Sequence, residues 1–198
     1  LKEVLISGDG DICDYAFYNI NSLETVIIFS KINYVGLNSF KGCNNLKSIT
    51  IPYIGTSLDN KNNNTFTDLF ENVPNTLTSV IVLGGEKAPK YAFNNCSNIK
   101  SIYLASSIKK IESYAFSNCT SLENININNN IEIIESYAFN NLPSLKTIII
   151  PHSTKFIDDA SFNNCPNLTI SCMHFYKPAN WSVNWNQSNN KVVWGYTE

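Results

Sequence analysis

The sequence predicts an α/β-type repeat solenoid with a parallel β-sheet along one side. Three observations carry this expectation. Phenylalanines stand at 17, 40, 70, 93, 116, 139 and 162, with successive gaps of 23, 30, 23, 23, 23 and 23 residues. Self-similarity at a fixed period of this length is the mark of stacked repeats. Apolar residues recur nine and eleven places after most of these phenylalanines, with a different residue between, which is the period-2 pattern of a short strand with one buried face. Finally, a unit this short cannot bury its own apolar face, whereas stacked units bury a continuous core.

Taking each Phe as zero, the repeats align one another. Position +6 holds Leu23, Leu46, Ile99, Leu122, Leu145 and Leu168, with Leu77 one place late. Position +9 holds Val26, Ile49, Ile102, Ile125 and Ile148, with Val80 again one late, and +11 holds Ile28, Ile51, Leu104, Ile127 and Ile150. Val35, Ile111, Ile134 and Ile157 recur five places before the next Phe. Leu1, Val4 and Ile6 fit the same template, so a repeat is under way at residue 1 and about eight strands are expected, one per repeat.

The same alignment assigns the cysteines. Cys43, Cys96, Cys119 and Cys165 all fall at +3, a slot that holds Ile20, Val73 and Leu142 in other repeats. A slot that accepts Cys, Ile, Val and Leu is a core slot, and free Cys packs as a small hydrophobe. No C-x-x-C pair of the kind a zinc site uses is present. A Cys96–Cys119 disulfide is conceivable by distance between neighbouring rungs, but parallel inward side chains give it poor geometry. Structural thiols are therefore expected over metal, redox or disulfide roles.

The run "IYLASSIKKIESYAF" from Ile102 to Phe116, followed by "SNCTSLENI", resembles the 23-residue leucine-rich repeat of the BspA-like family. The related turns "YAFNNC" (91–96), "YAFSNC" (114–119) and "YAFNNL" (137–142) carry the same likeness, which extends to about residue 172. Repeat three is stretched, and Ser39, Leu69 and Ser161 replace the Ala before Phe. The resemblance implies a right-handed, curved leucine-rich repeat solenoid with one parallel β-sheet on the concave face and short helical or irregular turns on the convex side. It also implies a secreted or surface-attached bacterial, sometimes protist, protein that adheres to host or neighbouring-cell proteins. The family carries no catalytic residues, so none transfer here.

The domain reading is a solenoid over 1–172, with an insertion at 53–69, and a C-terminal aromatic segment over 173–198. That tail breaks the period and holds Trp181, Trp185 and Trp194. A solenoid needs a cover for its last open core face, and aromatic rings suit the task. An exposed aromatic patch that stacks on carbohydrate is the alternative. The turn-rich run "DNKNNN" (59–64) lies in the seven-residue excess of the third repeat, and reads as a tolerated loop over a functional one.

Composition narrows the partners. The chain has 198 residues, 43% hydrophobic and 15% charged, with a net charge of −2 and a pI near 5.7. It contains no arginine, and its lysines are scattered, so the basic stripe that neutralises phosphates is missing and nucleic acid is disfavoured. No apolar run approaches the ~20 residues of a membrane span. No leader pattern is visible at the N-terminus. The abundance of asparagine reads as composition bias. "GDGDICD" (8–14) offers Asp9, Asp11 and Asp14 but lacks the closing Glu and the length of a calcium loop. Glu112, Glu135 and Asp158 recur in a slot that holds Cys13 and Gly36 elsewhere, which reads as solvent-facing. No nucleophile elbow, phosphate loop or paired-histidine zinc motif is present. No enzyme, cofactor or metal is expected.

The candidate site is the outward row of the strands. Column +10 reads Leu5, Ile27, Thr50, Tyr103, Asn126 and Ile149, with Ile81 as its displaced equivalent, and small hydroxyl residues dominate +8. Phe29 and Leu83 add apolar area at the strand ends. Contiguous exposed apolar surface marks interaction sites, although Ile and Tyr also simply favour strands. The expectation is a non-catalytic adhesion or protein-binding module at the cell surface or outside the cell, with ligand contacts at Ile27, Phe29, Ile81, Tyr103, Asn126 and Ile149. The alternatives are a structural spacer of a larger surface protein, and carbohydrate binding through the tail tryptophans.

Overall fold

The computed structural model describes residues 1–29, 31–58 and 64–197. The expected strands form and stack in register. Glu3–Ile6, Thr25–Ile28, Ser48–Ile51, Ser79–Val82, Ser101–Leu104 and Asn124–Asn126 make one six-stranded parallel sheet. Val4, Val26, Ile49, Val80, Ile102 and Ile125 occupy one continuous row of it. That row faces inward, and the four middle residues from Val26 to Ile102 are almost wholly buried. The one-place delay of Val80 in the sequence is absorbed before the strand, so pairing is uninterrupted across the stretched repeat.

Thr147–Ile150, Thr169–Cys172 and Lys191–Trp194 form a second parallel sheet that continues the first. The tail therefore contributes one more rung, with Val192 opposite Ile170 and Trp194 opposite Cys172. The two sheets abut at Asn126, whose side chain folds back onto the preceding rung. Its Oδ1 accepts the Leu104 N–H at 2.7 Å and its Nδ2 donates to the Leu104 carbonyl at 3.2 Å.

One difference from the sequence pattern is a second, narrow parallel ladder on another side of the coil. Lys87–Ala88, Lys110–Ile111, Ile133–Ile134 and Phe156–Ile157 pair in order, and Gly10–Ile12 pairs with Ile32–Val35. These strands contain the aliphatic residues found five places before Phe. The turns, expected to be short helical or irregular segments, hold one 3₁₀ segment among the described residues, Phe66–Leu69. The fold is a parallel β-solenoid of about eight turns, with almost no helix.

The insertion is built into this coil. Tyr53, Ile54, Gly55 and Thr56 are buried, the Val35 N–H donates to the Thr56 carbonyl at 2.9 Å, and Ser57 bridges antiparallel to Tyr34. The rest of the expected loop, 59–63, lies outside the described residues. After it, Phe66 enters the phenylalanine column. Its ring lies 5.3 Å from Phe70 and 4.9 Å from Phe93, so two phenylalanines of one coil span the stretched repeat. Elsewhere the column stacks directly, as Phe116 on Phe139 and Phe139 on Phe162, both at 5.3 Å. Truncating such a buried ring to Ala costs roughly 3–5 kcal/mol.

The Phe turn explains the asparagines. In every Phe turn except that of Phe70 two residues adopt the left-handed conformation, among them Tyr91, Tyr114 and Tyr137 at −2, and Asn95, Asn118, Asn141 and Asn164 at +2. Asn tolerates that region better than most residues, because its short amide bonds locally. Here the amides also bond between rungs. Asn118 Nδ2 donates to Asn95 Oδ1 and Asn141 Nδ2 to Asn118 Oδ1, both at 2.9 Å, and Asn164 Nδ2 donates to Asn141 Oδ1 at 2.8 Å. The tyrosines stack beside them at 5.3 and 5.1 Å. In the second coil the +2 residue is Gly42, and an added Cβ there would lie 2.0 Å from the Asn19 side-chain oxygen.

The +3 cysteines are buried and free. The thiols of Cys43, Cys119 and Cys165 donate to the carbonyls of Phe17, Phe93 and Phe139, at 3.0, 3.1 and 3.0 Å. Burial pushes the Cys96 thiol up to about 12 and the Cys165 thiol up to about 11, so neither carries thiolate at neutral pH.

Candidate ligand-binding face

Strand parity points one row of the long ladder into the core and the next row to solvent. The outward row runs Leu5, Ile27, Thr50, Ile81, Tyr103 and Asn126, each residue paired with the next. Parallel neighbours lie ~4.8 Å apart, so Ile81 and Tyr103 present adjoining side chains. They are 38% and 54% exposed. Beside them runs a hydroxyl row, Thr25, Ser48, Ser79 and Ser101, again paired rung to rung. Ser48 Oγ donates to Thr25 Oγ1 at 3.3 Å, which holds the row flat against the sheet.

The expected contact residues divide into groups. Ile81 and Tyr103 are direct neighbours, with Leu83 exposed at the strand end beside Ile81. Ile27 is half-buried and one rung further away, beyond Thr50. Phe29 is exposed past the end of its strand, and the buried Pro52 rung stands between it and Leu83. Asn126 belongs to the row, but its amide is engaged by Leu104. Ile149 belongs to the other sheet, beside Ser171 and then Val193.

Leu83 borders a cleft that sequence reasoning missed. Its volume is about 900 Å³, and Ile32, Tyr53, Ile54, Leu58, Leu83 and Gly84 are among its lining residues. It opens where the insertion parts the second coil from the fourth. Gly84 lines this narrow place, since an added Cβ would sit 2.9 Å from the Pro52 carbonyl. The lining residues come from separate coils, so no run of the sequence signals the cleft.

Charges flank the face in compensating order. Glu24 is held between Lys2 at 3.2 Å and Lys47 at 2.5 Å, and Lys100 pairs with Glu123 at 3.6 Å. On the second ladder, of the three acids expected to face solvent Asp158 is exposed, while Glu112 and Glu135 are half-buried. Glu112 accepts the Lys90 N–H at 3.0 Å and Lys87 Nζ at 3.0 Å, while Glu135 accepts the Ser113 N–H at 2.9 Å and Lys110 Nζ at 2.6 Å. Burial pushes the Glu135 carboxyl up, but Lys110 and Ser113 together outweigh it and hold its pKa below the usual value. In the first coil Asp14 accepts the Tyr34 hydroxyl at 2.7 Å and the Leu37 N–H at 2.8 Å. Among the described residues no group of three or more His, Cys, Asp or Glu side chains is placed to hold a metal ion, and no helix is long and apolar enough to cross a membrane.

Residues 10–69 and 86–174 match the profile of the BspA type leucine rich repeat region, in six copies. The chain belongs to the BspA-type leucine-rich repeat family. No curated protein matches it. Among solved structures, a leucine rich cell surface protein from Faecalibacterium prausnitzii is 23% identical, with a TM-score of 0.53 over 88% of this chain and 45% of that one. The pneumococcal vaccine antigen PcpA is 18% identical, with a TM-score of 0.51 over 96% of this chain and 60% of that one. The likeness establishes the leucine-rich repeat fold. The chain spans about half the length of these solved structures.

Proposed function

We propose that this BspA-type chain is a non-catalytic protein-binding module of a secreted or surface-attached bacterial protein, with its ligand on the outer face of the long ladder. That face is taken as the concave side of the solenoid. The observation that carries the reading is the Ile81–Tyr103 pair, two large side chains left exposed on a rigid sheet and bordered by a row of hydroxyls. Such a surface offers dehydratable apolar area at its centre and hydrogen-bonding groups at its margin, the arrangement of protein interfaces. Leu83 and the neighbouring cleft extend it at the strand ends. The description of the F. prausnitzii protein as a cell surface protein supports the location.

The spacer reading accounts for the fold but leaves the Ile81–Tyr103 pair without a role. The carbohydrate reading loses its main groups, because Trp181 and Trp185 are 2% and 5% exposed and turn their rings inward.

The test is a binding screen of the chain against purified matrix and cell-surface proteins, with an Ile81→Asp/Tyr103→Asp variant in parallel. Circular dichroism checks that the variant keeps its fold. A ligand bound by the unmodified chain and lost by the variant is the expected result. A ligand held equally by both moves the site elsewhere, and no ligand at all favours the spacer.

A further inference from the structure

The last coil closes on a cluster of rings. Trp185 meets Phe162 edge-on at 5.9 Å and Trp181 at 5.1 Å, so the phenylalanine column ends on two buried indoles. Trp194, from the final strand, completes the group at 6.0 Å from Trp181. His174 enters this cluster from the other side. Its ring lies edge-on to Trp181 and to His152, each at a centroid distance of 5.3 Å. His174 Nε2 is closed off from solvent and has no hydrogen-bond partner.

The surroundings favour a neutral imidazole. Trp181 Nε1 donates to the Thr154 carbonyl at 3.3 Å, which occupies one of the few acceptors nearby. His152 and Lys155 line the space around His174 with Tyr176. Lys155 is tied to Glu132 at 2.6 Å. Lys177 donates to the Trp181 carbonyl at 2.7 Å. Asp159 accepts the Ser182 hydroxyl. Neither acid pairs with His174, and a charge on His152 would oppose one on His174. Burial, with His152 adding to it, holds the His174 pKa below the usual value of 6.5, against a smaller opposing pull from the Thr154 and Pro151 carbonyls.

We propose that His174 is an acid-sensitive latch on the terminal coil. Its neutral imidazole closes the Trp181–Trp185–Trp194 cluster over the last rungs, and its protonation loosens residues 173–197 while the preceding ladder stays folded. Protonation puts a charge against the Trp181 ring, where Nε2 is closed off from solvent and unpartnered, a cost that the smaller pull of the Thr154 and Pro151 carbonyls does not offset and that outward movement relieves. Such movement acts on the end of the sheet, because the His174 carbonyl accepts the Gly195 N–H at 2.8 Å, just past Lys191–Trp194. Each coil of a solenoid is stabilised by its neighbours alone, so an end coil can open by itself. The sign follows from the lowered pKa. The coil's stability is full above pH 6.5, the ordinary histidine value, and falls as pH drops from there towards the folded-state pKa. Below that pKa nothing further is lost from this group.

The test follows tryptophan emission, acrylamide quenching and far-UV circular dichroism of the full chain from pH 8 to pH 4.5, with His174→Gln and His152→Gln variants. The expected result is a red shift and increased quenching as pH falls below about 6, with the β signal retained. The shift disappears in His174→Gln and is weaker, or moves to lower pH, in His152→Gln, which removes that repulsion and brings the folded-state pKa of His174 closer to the ordinary value. Flat emission in the unmodified protein, or an unchanged transition in His174→Gln, overturns the proposal. Should His174→Gln fail to fold at pH 8, the imidazole titration of the unmodified protein by NMR decides: His174 titrating at or above the free-histidine value contradicts the latch.

Discussion

The thiol of Cys119 donates to the carbonyl of Phe93, 3.1 Å away and 26 residues earlier in the chain. That bond joins the inward +3 slot of one coil to the phenylalanine of the coil beneath. It accounts for the cysteines as packing groups that also satisfy a backbone acceptor. Reactivity should follow: Ellman's reagent at pH 8 is expected to titrate the exposed Cys13 alone in the native chain and all six thiols in denaturant. Fast labelling of several thiols in the folded chain would refute the packing.

The asparagine ladder makes a different demand. Asn118 holds a left-handed conformation and bonds to the asparagine on each side. Asn118→Ala removes both bonds and places a poor residue in that conformation, for an expected loss of about 2 kcal/mol in denaturant unfolding. Asn118→Gly keeps the backbone geometry and should lose clearly less. Equal losses would mean that the conformation is not what the asparagine supplies.

Ser39 stands where Ala stands in most later coils. It is fully buried and its hydroxyl has no partner, whereas the single hydroxyl proton of the equivalent Ser161 is within reach of two carbonyls, at 3.0 and 2.8 Å. Ser39→Ala is therefore expected to raise stability by about 1 kcal/mol, and Ser161→Ala to lower it or leave it unchanged. Thermal melts of the two variants give the comparison, and a Ser39→Ala variant that melts earlier than the parent rejects it.

Glu135 sets part of the acid response. Its folded-state pKa is lowered, so its contribution is present above the ordinary carboxylate value of 4.5 and disappears as pH falls through the folded value. Glu135→Gln should lose roughly 1 kcal/mol at pH 7, allowing for partial exposure, with the difference from the parent closing towards pH 3. Asp158 works in the opposite sense, because burial and then the charges of Glu135 and Asp159 raise its pKa. Asp158→Asn should be stabilising at pH 7. A Glu135→Gln deficit that persists undiminished in acid would contradict the lowered pKa.

The legible parts of the sequence were those in which one side chain repeats for one physical reason. The Phe116–Phe139–Phe162 column and the Val26-to-Ile125 row were visible because core slots admit few residue types. The outward placement of Ile81 and Tyr103 followed from strand parity alone. The second ladder was not legible, because a two-residue strand such as Lys110–Ile111 shows no alternation to read. Phe66 was hidden by the insertion that broke the count. Asn126 could be placed on the outer row, but whether its amide faced solvent or the Leu104 backbone depended on a gap between sheets that periodicity does not encode. The cleft joins Ile32, Tyr53 and Leu83 from separate coils, so no local pattern announces it.

Photo-cross-linking tests binding through the ladder face most directly. Benzoylphenylalanine is introduced in separate variants at Tyr103, on the outer row, and at Phe156, which is exposed on the second ladder. Each is irradiated with a purified ligand from the binding screen. Binding on the long ladder gives a cross-link from position 103 and none from 156. A cross-link from 156 with position 103 silent would place the ligand on the second ladder and contradict the proposal.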